Sequence, residues 1–184
     1  MFIRSERLFL RPGWSEDWQD LLALIDDREV VGNLAQVPWP YTPLHARQFS
    51  ARAQDRHAPH FLITLPSDEG SQLIGCIGLG RDGGQFELGY WIARPFWGQG
   101  FATEAVRALL PLAQALGHQR IVASHFVDNP ASGRVLQKVG FRPAGGVRMR
   151  ASLGRGVDAP VMTYAICLDE PGNCGDDETA MRAA

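Results

Sequence analysis

Apolar and polar residues alternate along several short stretches of the chain, which is the pattern of half-buried β-strands. The clearest stretch runs from Gln85 to Ile92. Successive side chains of a strand point to opposite faces, so Phe86, Leu88, Tyr90 and Ile92 share one face. Glu87, Gly89 and Trp91 share the other. The pattern predicts a strand with a fully apolar face and a second face that carries a carboxylate.

Similar runs predict further strands along most of the chain. These strands are Glu6 to Arg11, Phe61 to Leu65, Gln72 to Leu79, Ile121 to Val127, Arg142 to Ser152 and Val157 to Leu168. Three of the runs between residues 61 and 92 follow one another through short polar or glycine turns. Such closely connected strands are predicted to pair antiparallel.

Apolar stripes at helical spacing, with capping residues before them, predict four helices. They begin at Ser15, at Thr42-Pro43, after the glycines at 98 and 100, and at Asn129-Pro130. Proline is favoured in the first turn of a helix, which supports two of these starts. The third helix runs to about Leu116 and contains Pro111. An interior proline costs about 3 kcal/mol, so a kink or interruption is expected there.

The order of elements predicts one α/β (α+β) domain over residues 1–168, with a mixed, mostly antiparallel, twisted sheet and about four flanking helices. The chain has 184 residues and a mass of 20.3 kDa, a size that suits a single core. Residues 169–184 are polar, and they are predicted to form a flexible C-terminal tail.

Charge and composition exclude several classes of function. The net charge of -2 and the pI near 6.2 give no basic surface for direct nucleic-acid binding. No apolar run approaches the length of a membrane span, and the N-terminus lacks the apolar core of a signal peptide, so the cytoplasm is the expected location. The three cysteines form no C-x-x-C pair and the histidines no helical ligand pair, so no metal site is predicted.

A glycine turn, Gly98-Gln99-Gly100, lies between the strand that ends at Ile92 and the helix that follows. It is not a P-loop, because no G-x-x-x-x-G-K-[ST] occurs. It fits a dinucleotide fold poorly, because Thr103 takes the third glycine position and no acidic residue follows at the expected offset of about 20. What remains is a pyrophosphate cradle on a helix N-terminus. Taken alone, a simple tight turn explains the two glycines equally well.

Three longer motifs decide between these readings. The segments E-L-G-Y-W-I from Glu87, W-G-Q-G-F-A-T-E-A from Trp97 and N-P-A-S-G-R-V-L-Q-K-V-G-F from Asn129 together resemble the GNAT superfamily of N-acetyltransferases. The chain looks most like the branch that acetylates protein N-termini, such as ribosomal-protein acetyltransferases of the RimJ/RimL type. The resemblance extends over nearly the whole chain, from the E-R-L at Glu6 to the final strands.

The resemblance implies a V-shaped split between strand 85–92 and strand 121–127, with acetyl-CoA lying in it as the co-substrate. Main-chain groups of Tyr90, Trp91 and Ile92 would pair with the pantetheine arm. Backbone N–H groups of the glycine turn would bind the pyrophosphate, namely those of Trp97, Gly98, Gln99, Gly100, Phe101, Ala102 and Thr103. Pro95 stands where the family often has Gln or Arg, which removes one side-chain contact.

The resemblance also suggests catalytic residues. Glu87 is the candidate general base, directly or through water, and a solvated strand glutamate is the alternative. Many family members place a tyrosine acid for the leaving thiolate where this chain has Leu136. Ser132, one turn into the same helix, is the candidate replacement, and an ordinary first-turn serine is the alternative. Asn129 is a candidate contact to the pantetheine amide or the reacting centre, and an ordinary N-cap is the alternative.

The acceptor side is less specific. Trp39 and Tyr41 are candidates for one wall of the acceptor pocket, because in the family the region between the first two helices forms that wall. Ordinary core and rim residues are the alternative for both. His125, on the strand before Asn129, is a third candidate contact, and a hydrogen-bonded strand histidine is the alternative.

The resemblance implies an enzyme that moves the acetyl group of acetyl-CoA to a primary amine, in first place a protein or peptide N-terminal α-amine. A small-molecule acetyltransferase for polyamines or aminoglycoside-like amines is the alternative enzyme. A non-catalytic acyl-CoA sensor is the alternative from another class, and Leu136 in place of the tyrosine is its main support. The chain is also compatible with a homodimer through a sheet edge or the final strands.

Overall fold

The computed structural model describes residues 1–68 and 70–168, so the predicted tail lies outside the described residues. Within them the chain forms nine strands and five α-helices. The strands are β1 (Ile3–Arg4), β2 (Phe9–Arg11), β3 (His60–Ser67), β4 (Gly70–Asp82), β5 (Gln85–Ile92), β6 (Arg120–Phe126), β7 (Arg142–Pro143), β8 (Arg148–Ser152) and β9 (Val157–Cys167). The helices are α1 (Trp18–Ile25), α2 (Arg28–Val31), α3 (Pro43–Ser50), α4 (Phe101–Ala115) and α5 (Pro130–Lys138).

The strands form one mixed sheet in the order β1-β2-β3-β4-β5-β6-β9-β7, and β8 also pairs with β9. Every pair is antiparallel except β5 with β6, which is parallel. The parallel pair is formed across α4, which connects the two strands. The predicted fold class, a single mixed and mostly antiparallel α/β domain, is therefore confirmed.

The sheet is split between β5 and β6. These strands pair at one position, Glu87 with Val122. On either side the pairing is continuous, because β4 pairs with β5 at eight positions and β6 pairs with β9 at seven. Beyond Glu87 the edge of β5 has no strand partner among the described residues, and the two halves of the sheet diverge. This is the V-shaped split that the family resemblance predicts.

The two faces of β5 belong to two different cores, as the alternation predicts. Leu88 and Ile92 pack with α4 and α5 in the larger core, together with Val106 and Leu136. Trp91 packs on the opposite side, in the core formed with α1, α2 and α3. The split therefore opens between two helical layers, with β5 as one of its walls.

Two helices differ from the prediction. The four-residue α2 was not predicted, and it raises the number of α-helices described to five. The Asp27 carboxylate caps it by accepting from the Glu29 N–H at 2.8 Å. In contrast, α4 continues through Pro111 without interruption. Its buried Leu109 and Ala113, on either side of the proline, hold the helix against the core.

Candidate active site

The glycine turn after β5 leaves the start of α4 without a side-chain cap. Gly98 and Gly100 have φ values of +76° and +83°, a left-handed conformation that a side chain makes costly. Gly100 is the residue that precedes α4, and no side chain accepts a hydrogen bond from the first turn there. The first N–H groups of a helix have no partner inside the helix. Those of α4 are therefore available to an anion.

Arg7 holds this turn from the N-terminal side. Its guanidinium donates to the Gln99 carbonyl from both terminal nitrogens at 3.2 Å. It also lies 4.4 Å from the centre of the Phe101 ring and pairs with Glu104 at 2.7 Å. These contacts tie the glycine turn and the first turn of α4 to the N-terminal segment. Arg7 and Glu104 lie in the quoted motifs, but neither was predicted to be a site residue.

Glu104, in the first turn of α4, connects this helix to the N-terminal segment through hydrogen bonds. Its carboxylate accepts from the Ser5 hydroxyl at 2.8 Å and from the Arg7 backbone N–H at 2.7 Å. Burial alone would raise the pKa of this carboxyl, but the hydrogen bonds from Arg7 and Ser5 outweigh it and lower the pKa. The first turn of α4 is thus anchored by a carboxylate that stays charged.

Trp97 closes the turn against β5. Its indole N–H donates to the Ile92 carbonyl at 2.6 Å. This bond uses one of the main-chain groups that the resemblance assigns to the pantetheine arm. Trp97 remains 43% exposed as a residue and lines the cleft described below.

Asn129 caps α5, the helix on the other side of the split. Its side-chain oxygen accepts from the Ser132 N–H at 3.3 Å, and Pro130 occupies the first helical position. The N-cap interpretation is confirmed by this geometry. Asn129 also lines the cleft described below.

The Ser132 side chain contacts the Tyr90 hydroxyl, a contact that the motifs did not predict. The hydroxyl oxygens of Ser132 and Tyr90 lie 2.8 Å apart, and the Tyr90 hydroxyl also lies 3.2 Å from the Ser132 carbonyl. Burial raises the pKa of Tyr90 to about 12, although the bond to Ser132 opposes this. Leu136, one turn further along α5, is fully buried in the core.

Glu87 is tied to β8 across the molecule. Both of its carboxylate oxygens accept from Arg150, the longer of the two bonds being 2.8 Å. Both side chains are largely buried, at 14% and 17% exposed, and Arg150 also lies 3.5 Å from Asp82. Hydrogen bonding to Glu87 raises the pKa of Arg150. The lone pairs that would receive an amine proton are therefore shared with a permanent cation.

The three residues predicted to contact the acceptor, His125, Tyr41 and Trp39, do not line the cleft described in the next paragraph. His125 is buried, donates from Nδ1 to the Phe126 carbonyl at 2.8 Å, and packs so closely on Gly133 that a Cβ there would lie 2.6 Å from its ring. Tyr41 is buried in the α1–α3 core, which raises its pKa to about 12, and Trp39 packs against the same core. None of the three is among the described residues that line the cleft.

A cleft of about 560 Å³ lies at this end of the molecule. Its walls come from α2, the glycine turn, the start of α5 and the turn between β8 and β9. The lining residues are Arg28, Glu29, Gly32, Asn33, Trp97, Asp128, Asn129, Gly154 and Arg155. Because Trp97 and Asn129 both line it, the cleft adjoins the two helix starts on either side of the split.

The carboxylates of the cleft are paired. Arg155 donates to both Asp128 oxygens, at 2.7 and 2.8 Å, and to the Gly32 carbonyl at 2.7 Å. The hydrogen bond from Arg155 lowers the pKa of Asp128, although partial burial opposes it. Glu29 pairs with Arg94 at 3.0 Å. The cleft thus carries carboxylates without being an unpaired acidic pocket.

Comparison with known families identifies the fold and the chemistry. The family model "Acetyltransferase (GNAT) domain" matches residues 7–142, more than half of the chain. The chain belongs to the GNAT acetyltransferase family. This GNAT protein is 30% identical over 155 residues to "Uncharacterized N-acetyltransferase YoaA" of Bacillus subtilis (strain 168), covering 79% of the chain and 85% of the relative. It is therefore an acetyl-CoA-dependent N-acetyltransferase.

Solved structures show the same fold. A GNAT-family acetyltransferase from Bacillus anthracis superposes with a TM-score of 0.78 at 25% identity, covering 92% of this chain and 100% of that one. RimL, a ribosomal L7/L12 α-N-protein acetyltransferase, gives 0.77 at 23% identity, with 92% and 99% covered. The acetyltransferase MccE, crystallised with acetyl-CoA and AMP, gives 0.73 at 20% identity, with 88% and 93% covered.

In the part of the chain that the structure describes, no helix combines the length and the apolar character needed to cross a membrane. The expected cytoplasmic location and the homodimer stay predictions.

Proposed function

We propose that this GNAT acetyltransferase acetylates the α-amine of a protein or peptide N-terminus. The observation that carries the proposal is the pairing of Glu87 with Arg150 through both carboxylate oxygens. Both oxygens of this carboxylate already accept from a guanidinium, so an incoming ammonium group would have to share them with Arg150. The chemistry therefore suits an amine that needs little help to lose its proton.

The ordinary pKa values of amines differ between an N-terminus and a lysine, and this difference bears on the acceptor. An α-amine, with a pKa near 7.7–8.0, is already partly neutral at physiological pH. A lysine, with a pKa near 10.4, must lose a proton at a cost of about 4 kcal/mol, which is three pH units at 1.36 kcal/mol each. Glu87, whose oxygens are shared with Arg150, therefore suits an α-amine better than a lysine.

The cleft supports the same choice. A polyamine or aminoglycoside carries several positive charges and calls for several unpaired carboxylates. Here Asp128 is paired with Arg155 and Glu29 with Arg94. Arg28 and Asn33 line the same cleft. The Asn33 amide gives one of its two protons to the Glu29 carbonyl at 2.8 Å, so it keeps one donor for a peptide carbonyl, and the Arg28 guanidinium offers others. A peptide, with one terminal ammonium group and many carbonyls, matches this lining.

The proposed mechanism is direct transfer. Acetyl-CoA lies in the split, with its pantetheine arm along Tyr90 and Trp91. Its pyrophosphate lies on N–H groups between Gly98 and Thr103, because the predicted Trp97 N–H already donates to the Arg94 carbonyl at 3.1 Å. Backbone N–H groups near Gly89 polarise the thioester carbonyl and stabilise the tetrahedral oxyanion. The amine attacks, its proton passes to Glu87 through water, and the C–S bond breaks with the electron pair leaving on sulfur.

The acceptor is tested by CoA-thiol release with matched peptides. One peptide has a free N-terminus and no lysine, and a second has the same sequence with a blocked N-terminus and one lysine. Spermidine and an aminoglycoside complete the panel. We expect turnover with the free N-terminus and at least a 100-fold lower kcat/KM with each of the others. Faster turnover of a polyamine or of the lysine peptide would contradict the proposal.

The role of Glu87 is tested by Glu87→Gln, with Asp82→Asn as the matched control. Asp82 is the second carboxylate beside Arg150, so its variant perturbs the same guanidinium but spares Glu87. We expect Glu87→Gln to lower kcat at least 10-fold with an unchanged affinity for acetyl-CoA. Equal losses in kcat and affinity, or an equal effect of Asp82→Asn, would remove Glu87 from the proton path.

A further inference from the structure

The contact between Tyr90 and Ser132 joins the two sides of the split. Tyr90 lies on β5 and Ser132 in the first turn of α5, 42 positions apart in sequence. Tyr90 is also on the face of β5 that packs with α4 and α5, opposite to Glu87. The site therefore has a carboxylate on one face of β5 and a pair of hydroxyl groups on the other.

The donors and acceptors of this pair can be counted. Tyr90 has one hydroxyl proton and two acceptors within reach, the Ser132 carbonyl at 3.2 Å and the Ser132 hydroxyl oxygen at 2.8 Å. The carbonyl can only accept, whereas the serine hydroxyl both donates and accepts. When Tyr90 donates to the serine oxygen, the Ser132 proton is free to point to a third group.

We propose that Tyr90 is a positioning residue whose phenol donates to the Ser132 hydroxyl, so that Ser132 donates its own hydrogen bond to the departing CoA thiolate. This inference rests on the proposed acetyl transfer in the split and adds the residue that orients Ser132 toward the leaving sulfur. It gives this chain, with Leu136 in the core, a two-hydroxyl donor in place of a single tyrosine acid.

The assistance is a hydrogen bond and not a proton transfer. The C–S bond breaks, the electron pair stays on sulfur, and the thiolate takes its proton from solvent after release. Tyr90 is a poor source of that proton because burial raises its pKa to about 12, whereas a thiol of the cysteine type has a pKa of about 8.5. A donor that keeps its proton still stabilises the anion, and its bond to the charged sulfur is stronger than one between neutral groups.

The location of Ser132 favours an anion as well. It lies in the first turn of α5, a helix of nine residues, where the helix dipole stabilises negative charge. Asn129 accepts from the Ser132 N–H and so fixes the residue that presents the hydroxyl. A thiolate near this hydroxyl would meet an oriented donor on an ordered helix.

The test compares Tyr90→Phe and Ser132→Ala with Tyr164→Phe as the matched control. Tyr164 is also buried, and its hydroxyl accepts one long bond, from Gln137 at 3.4 Å. The first readout is the pKa of the CoA thiol bound to the enzyme, which is measured through the ultraviolet absorbance of the thiolate. The second readout is kcat and KM with acetyl-CoA. The affinity for desulfo-CoA, which lacks the sulfur atom, reports any general loss of cofactor binding.

We expect the bound thiol to titrate below free CoA in the wild type. Tyr90→Phe and Ser132→Ala should move its pKa back toward that of free CoA, while Tyr164→Phe should not. Tyr90→Phe should lower kcat about 5- to 10-fold, and Ser132→Ala more, with desulfo-CoA affinity unchanged. The double variant should be no slower than Ser132→Ala alone, because Tyr90 acts through the serine.

A Tyr90→Phe enzyme with wild-type thiol pKa and kcat would overturn the inference, and so would one that loses only stability. Failure of the proposed acceptor looks different. The thiol titration needs no amine, so an enzyme that ignores peptide N-termini but shows the Tyr90-dependent pKa would refute the acceptor and keep this inference.

Discussion

The two helices that begin at the split start in different ways. α4 follows Gly100, which has a left-handed backbone and offers no side-chain cap. α5 follows Asn129, whose side chain accepts from the Ser132 N–H, with Pro130 in the next position. The first N–H groups of α4 therefore have no side-chain acceptor, whereas one of the first N–H groups of α5 already has one.

This difference predicts a different ligand group for each helix start. A pyrophosphate is large and doubly charged, and it needs several N–H donors and close approach to the backbone, which glycine permits. A leaving thiolate is one atom, and a single oriented hydroxyl on a rigid helix serves it better. The uncapped α4 therefore suits the nucleotide end of acetyl-CoA, and the capped α5 suits the reacting end.

Placing a cap on α4 should have the largest effect. Gly100→Asp puts a carboxylate where the first-turn N–H groups are free, so it accepts from them and repels the phosphates. We expect the Kd for acetyl-CoA, measured by calorimetry, to rise at least 100-fold. Gly117→Asp, at the other end of α4 and with φ of +86°, controls for backbone strain and added charge. A similar loss in both variants would contradict the pyrophosphate role of the turn.

Removing the cap of α5 should have a smaller effect of a different kind. Asn129→Ala leaves the Ser132 N–H without its acceptor and should cost about 1 kcal/mol of unfolding free energy in urea titrations. It should also lower kcat several-fold through Ser132 while the Kd for acetyl-CoA stays close to that of the wild type. Asn129→Asp keeps the cap and should restore the stability. A large change in Kd would mean that α5, too, holds the nucleotide.

The smallest effect is expected from the anchor behind α4. The pKa of Glu104 is lowered from 4.5 in the folded protein, so its contribution to stability is present above pH 4.5 and is lost as the pH falls through the folded-state value. Glu104→Gln should therefore be less stable than the wild type at neutral pH and equal to it in acid. Urea midpoints across this range measure the difference, and Glu6→Gln, at an exposed position, serves as control. A pH-independent difference would rule out the charged anchor.

Local patterns were sufficient to predict much of the fold. The alternation in Gln85–Ile92 correctly assigned both faces of β5, and Asn129-Pro130 correctly marked the start of α5. These features depend on neighbours in sequence, so a single chain carries the information. The continuous α4 shows the limit, because burial on both sides of Pro111 outweighs the local cost of proline.

The contacts that give the site its chemistry could not be predicted in this way. Glu87 and Arg150 are 63 positions apart, and Tyr90 and Ser132 are 42 apart. Their pairing depends on how β8 and α5 pack beside β5, which periodicity along the chain does not encode. The motifs identified Glu87 and Ser132 as candidates, whereas only the structure shows that one is held by a cation and the other by a phenol.

The central claim, that the uncapped start of α4 holds the pyrophosphate, is tested most directly by combining a variant with a truncated substrate. Gly98→Ala adds a methyl group at φ of +76°, and Gly117→Ala adds one at +86°, each with open space around it. Both should lose about 1 kcal/mol or more of stability to the left-handed backbone.

The measurement is kcat/KM for each variant with acetyl-CoA and with S-acetylpantetheine, which has the same thioester but no pyrophosphate. We predict that Gly98→Ala lowers kcat/KM at least 10-fold with acetyl-CoA and leaves it unchanged with S-acetylpantetheine, and that Gly117→Ala changes neither. Equal losses of Gly98→Ala on both substrates would show that the turn does not act on the pyrophosphate, and would contradict the account.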